Sequence, residues 1–145
     1  MSLENMVARS ILSSRSDAII ASDRTGRIIF WNAGAEALFG HQAASAVGSS
    51  LDIIIPQRLR QAHWEGYRRA MESGTSRYGD GEILAVPGIR QDGSRISLEF
   101  SMAFLRAADG QPVGLVAVLR DVTKRYEELR ALRRRLDAGG VAPVQ

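Results

Sequence analysis

The segment Asp23-Arg-Thr-Gly-Arg-Ile-Ile-Phe-Trp-Asn-Ala-Gly-Ala-Glu-Ala-Leu-Phe-Gly40 holds a turn, a strand and the start of a helix, and it dictates how the chain begins to fold. Its first four residues separate the apolar runs 18–21 and 28–31. Gly26 can take the positive φ that a tight hairpin turn needs, and the Asp23 carboxylate can bond its own backbone, so two adjacent antiparallel strands are expected. Asn32 then ends the second strand and suits a helix N-cap. Glu36, Leu38 and Phe39 follow at helical spacing until Gly40 stops the helix.

Upstream, Leu3, Met6, Val7, Ile11 and Leu12 recur at spacings of three and four, which is an amphipathic helix with a narrow apolar stripe that must cover something. The serine-rich stretch 13–17 breaks it. Downstream, residues 41–50 are small and polar, and His41 among them reads as surface. Leu51 to Ile55 is a brief apolar segment stopped by Pro56, which leaves the proline well placed to begin the next helix. That helix is expected over 57–73, with Gly74 as its stop.

Past a link over 75–81 come three strand candidates. Residues 82–89 contain Pro87, which cannot donate to a ladder, so this strand belongs at an edge or carries a bulge. Residues 94–105 alternate strictly: Ile96, Leu98, Phe100, Met102 and Phe104 point one way, and Arg95, Ser97, Glu99 and Ser101 the other. The last strand, 112–120, is a continuous apolar run that predicts burial on both faces. Asp92-Gly93 and Asp109-Gly110 supply the turns on either side of the long strand. Two strands before the helices and three after them make an α+β architecture, a five-stranded antiparallel sheet with the middle helices packed on one face.

From Val122 the pattern is helical, with Asp121 or Thr123 as cap. Val122, Tyr126, Leu129, Leu132 and Leu136 form a two-heptad seam that either folds back on its own domain or pairs with a second copy as a coiled coil. Residues 138–145 read as a frayed tail.

The whole chain is 145 residues with a net charge of +3, the size of one domain with short extensions. It has no cysteine, which excludes disulfides, cysteine-based metal sites and a cysteine nucleophile. No phosphate-binding loop, nucleophile elbow or zinc-protease motif occurs, so no enzyme is expected. With no apolar run long enough for a membrane span and no signal-peptide pattern, a cytoplasmic protein is expected. The arginines of the last helix read as a solvated face offset by Glu127 and Glu128, and a nucleic-acid partner is not expected.

The order of strand, Asp-x-x-Gly turn, strand and Asn-x-x-Ala-Glu-x-Leu-Phe-Gly resembles PAS sensor domains of the S-box type. The resemblance continues through Gly48, Ile55-Pro56, Asp92-Gly93 and Arg120-Asp121-Val122-Thr123. It implies a layout of an N-terminal helix over 1–15, a PAS domain over 16–122, a signalling helix over 123–137 and a tail over 138–145. It also implies a sensor that signals through a homodimer or a downstream protein, or else a ligand-free dimerisation module. The family's cysteine-dependent flavin adducts and chromophore attachments are unavailable here.

Three expectations for the site follow. Leu59, His63, Tyr67 and Ala70 share one helical stripe, so the His63 imidazole should face inward. Pro56, Arg60 and His63 resemble the approach to the proximal histidine of haem-binding oxygen-sensor PAS domains, which implies a small molecule or haem b as ligand, with His63 on the iron. The resemblance also places Leu84, an apolar residue, where those sensors carry a distal arginine. The expected lining is Tyr67, Leu84, Leu98, Phe100, Met102 and Leu119, with Met102 as a candidate sixth ligand.

Overall fold

A computed structural model describes residues 1–75 and 84–139. The chain runs α1 (Leu3–Leu12), β1 (Ala18–Asp23), β2 (Ile28–Trp31), α2 (Ala33–Phe39) and α3 (Ala43–Ala46). Two short 3-10 turns, Leu51–Ile54 and Gln57–Leu59, lead into α4 (Arg60–Ser73). Then come β3 (Leu84–Ile89), β4 (Arg95–Arg106), β5 (Pro112–Asp121) and α5 (Thr123–Ala138). The five strands form one antiparallel sheet in the order β2-β1-β5-β4-β3, which puts the last strand at the centre beside the first.

The opening hairpin forms as its residues dictate. Gly26 adopts φ +82°, and Asp23 Oδ1 accepts bonds from the backbone N–H groups of Thr25 and Arg27. Asn32 does more than cap α2. Its Oδ1 accepts from Ala35 N and from Ile19 N, and its Nδ2 donates to the carbonyls of Ser14 and Asp17. One buried amide thus ties α2, β1 and the incoming chain together, with both its ends satisfied.

β3 is an edge strand, as Pro87 requires, and it pairs in unbroken register with β4. On β4 the even-numbered residues face the helices. Ile96 and Leu98 are fully buried, whereas Phe100 and Met102 are half-buried because they border a cavity rather than solid core. Phe104 lies beyond that cavity, under the Arg106 guanidinium at 5.0 Å from the ring centre.

Two expectations need correction. β5 is less buried than its apolar run suggests, though partly so on both faces: Pro112 and Gly114 on one face and Leu119 on the other are buried, Val113 is exposed, and Leu115 to Val118 are half-buried. On the face that bears Leu119, Leu115 and Ala117 line a cavity rather than solid core, which leaves them half-buried. His41 is not a surface residue. The buried indole N–H of Trp31 donates to the His41 carbonyl, which draws the imidazole edge-on against Trp31 and leaves its Nε2 buried without a partner.

α1 and α5 bury no residue. Met6, Val7 and Ile11 are half exposed or more, as are Leu129, Leu132 and Leu136. The start of α5 is nevertheless anchored to the sheet. Asp121 Oδ1 accepts from Thr123 N, Thr123 Oγ1 accepts from Ser97 N, and Val122 N donates to Ser97 O. Arg90 adds an ion pair with Asp121 at 2.7 Å. Among the described residues no helix is long and apolar enough to cross a membrane. The expected tail lies, apart from Ala138 and Gly139, outside the described residues, as does most of the link before β3.

Candidate functional site

Between α4, the turn Leu51–Ile54 and the inner face of the sheet lies a cavity of about 140 Å³. Alternation along β4 and β5 delivers Leu98, Phe100, Met102 and Leu119 to its wall, and the helical repeat of α4 delivers His63 and Tyr67 one turn apart. These six expected residues are therefore brought together. Leu84 sits on β3 opposite Phe100, but its side chain lies outside the described residues.

The helical stripe needs one adjustment. Tyr67 and Met71 are the buried residues of α4, while His63 and Ala70 are half-buried. The first turn expected in this helix is 3-10 over Gln57–Leu59, so the register that faces the sheet is set from Arg60 onward.

Sequence reasoning missed Ile20 and Ser22 on β1 and the aliphatic wall from Leu51, Ile54 and Ile55. No alternation marks the first two, since Ala18 to Ser22 are all buried. No periodicity marks the others, because a single 3-10 turn has none.

The polar groups on the wall are few and distinct. Burial pushes the His63 imidazole below its ordinary pKa, against a weaker opposing pull from the Asp52 carboxylate, so near neutral pH it is uncharged. Its Nδ1 is buried with no hydrogen-bond partner. Burial raises the pKa of the Tyr67 hydroxyl, which stays protonated and donates to the Asp23 carbonyl, with Ser22 Oγ 2.9 Å away. Trp64, on the same helix, donates its indole N–H to Asp52 at 2.7 Å and stacks edge-on against His63. The wall thus offers an apolar surface and one neutral imidazole nitrogen in need of a partner.

A porphyrin tests this geometry in two respects. The donor is suitable, since a neutral imidazole whose Nδ1 is buried without a partner is a ready ligand. The space is not: about 140 Å³ is well below the roughly 300–1,000 Å³ of ordinary ligand and cofactor sites. With the walls as they stand, haem does not fit. Among the described residues no group of three or more His, Asp or Glu side chains gathers to hold a metal ion.

The family model described as the PAS fold matches residues 12–127. The chain belongs to the PAS fold family. This PAS domain is 32% identical over 96 residues to the oxygen sensor protein DosP of Escherichia coli, covering 66% of this chain and 12% of that protein. It is 31% identical over 121 residues to the sensor protein FixL of Bradyrhizobium diazoefficiens, covering 82% of this chain and 23% of that protein. The chain therefore spans less than a quarter of either relative's length. Among solved structures, the PAS domain of a Colwellia psychrerythraea protein superposes with a TM-score of 0.72 at 23% identity, covering 85% of this chain and 99% of that one.

Proposed function

We propose that this PAS domain is a sensory unit whose inner cavity takes a small, largely apolar molecule and whose α5 reports occupancy to a second copy or a downstream protein. The cavity carries the reading. Its lining is almost wholly apolar, and its volume is close to the roughly 150 Å³ engineered void that stays dry and accepts benzene. Output through α5 is supported by the hydrogen bonds that join Val122 and Thr123 to Ser97 on β4, with Asp121 capping Thr123, because β4 also supplies Leu98, Phe100 and Met102 to the cavity. A shift of β4 on binding would reach the first turn of α5 through two bonds.

A second reading, haem b with His63 on the iron, is favoured by the unpartnered Nδ1 of His63 and by the relative named as an oxygen sensor. It requires α4 to move away from β4 and β5.

Mass spectrometry of the natively purified protein, with haem reconstitution of the wild type and His63→Ala, tests both readings. A small co-purifying molecule without a Soret band supports the first. A Soret band lost in His63→Ala assigns the cavity to haem. An empty protein that takes up neither class leaves a dimerisation module built on α1 and α5.

A further inference from the structure

A second cleft of about 330 Å³ opens on the solvent side of α4, and Tyr67 is a wall of both spaces. Its other walls are Arg24 and Thr25 from the β1–β2 turn and Trp64 and Arg68 from α4. From this juxtaposition we propose that the cleft is the headgroup subsite of the inner cavity, so that the ligand is an amphiphile with an anionic head, a carboxylate or phosphate, and a short apolar tail. The inference rests on the reading of the inner cavity as a ligand site.

The cleft has the chemistry such a head requires. Arg24 spends Nη1 on the Pro112 carbonyl at 2.7 Å, which holds the guanidinium in place and leaves its other N–H groups to turn toward a ligand. Arg68, one turn of α4 beyond Trp64, is exposed, and among the described residues neither arginine pairs with a carboxylate. Two acids border the cleft: Asp23 accepts at Oδ1 from Thr25 N, Thr25 Oγ1 and Arg27 N, and Asp52 accepts from the indole N–H of the wall residue Trp64 at 2.7 Å. Two guanidinium groups suit a carboxylate or phosphate, which arginine binds in a planar, two-pronged fashion, whereas the Thr25 hydroxyl already gives its proton to Asp23. Among the described residues the inner cavity has no cation in its walls, so a charged head would be rejected there and accepted outside. The tail would pass Tyr67, whose hydroxyl bonds to Asp23 and Ser22 close the passage.

The test titrates the full chain with octanoate, octyl phosphate and octanol, read by calorimetry and by fluorescence of Trp64 in the cleft wall, for the wild type and for Arg24→Ala/Arg68→Gln. Circular dichroism melts establish that the variant is folded, and Arg68→Gln alone serves if Arg24→Ala disturbs the turn. The expected result is that octanoate or octyl phosphate binds the wild type about tenfold or more tightly than octanol, and that the variant removes this preference while keeping octanol. Octanoate stronger than octyl phosphate assigns a carboxylate head, and the reverse order a phosphate. Equal binding of all three, unchanged in the variant, overturns the headgroup subsite and leaves the apolar cavity standing. Binding of none overturns both.

Discussion

The hydroxyl of Tyr67 on α4 donates to the backbone carbonyl of Asp23 at the end of β1, while Ser22 Oγ lies 2.9 Å from the tyrosine oxygen. Tyrosine has one proton to give, so with the carbonyl taking it, Ser22 must be the donor in the second bond. The first hairpin is thereby fastened across the mouth of the cavity. Gly26 completes the closure, since a Cβ there would fall 2.1 Å from the Trp64 ring.

Tyr67→Phe keeps the ring and removes both bonds, leaving the buried Ser22 hydroxyl without its partner and the Asp23 carbonyl with the Gly26 N–H alone. A loss of about 1–3 kcal/mol in urea unfolding is expected, with faster ligand entry because the hairpin opens more easily. An unchanged midpoint together with unchanged entry rates would show that the other contacts of the hairpin, the β1–β5 pairing and the Arg24 bond to Pro112 among them, hold it without Tyr67.

Leu98 is 2% exposed and Ser97, its neighbour, faces the other side of β4. Leu98→Asp places an unpaired charge against the inner core and should leave no cooperative unfolding transition, while Ser97→Asp should cost no more than about 1 kcal/mol. Similar melts for the two variants would contradict the strand register.

The depressed pKa of His63 has a definite sign in stability. Below about pH 6.5 the unfolded chain takes up a proton that the native imidazole refuses, so stability falls as pH drops from there toward the lower native pKa. His63→Gln should flatten this part of the profile relative to the wild type. A wild type and variant that lose stability in parallel between pH 7 and 5 would place the titration elsewhere.

Leu129, Leu132 and Leu136 are 50%, 53% and 50% exposed along one stripe of α5. A seam of this spacing in a second copy would cover them, so sedimentation should report a dimer that Leu129→Lys/Leu132→Lys/Leu136→Lys converts to monomer without lowering the melting temperature of the core. The same mass for both proteins would leave the stripe without a partner of its own kind.

The residues by themselves determined the local events. Asp23 and Gly26 dictated the hairpin, Asn32 and Gly40 the bounds of α2, Pro87 the edge position of β3, and the alternation from Ile96 to Phe104 the face of β4 that meets the helices. Each is a matter of backbone geometry or a period of two, which a short stretch of chain carries within itself. The inward side of α4 was legible for the same reason, because His63 and Tyr67 stand one turn apart. Only the tertiary structure decided what those faces enclose. The contributions of Leu51, Ile54 and Ile55 depend on a 3-10 turn that meets α4 and the sheet through long-range packing. The cavity's volume is a difference between large packed surfaces and has no local signature. The inward turn of His41 follows from a bond to Trp31 ten residues away. The meeting of Arg24 with Arg68 across a cleft required the hairpin to be pinned onto α4 by Tyr67, a contact between residues more than forty positions apart that no local period encodes.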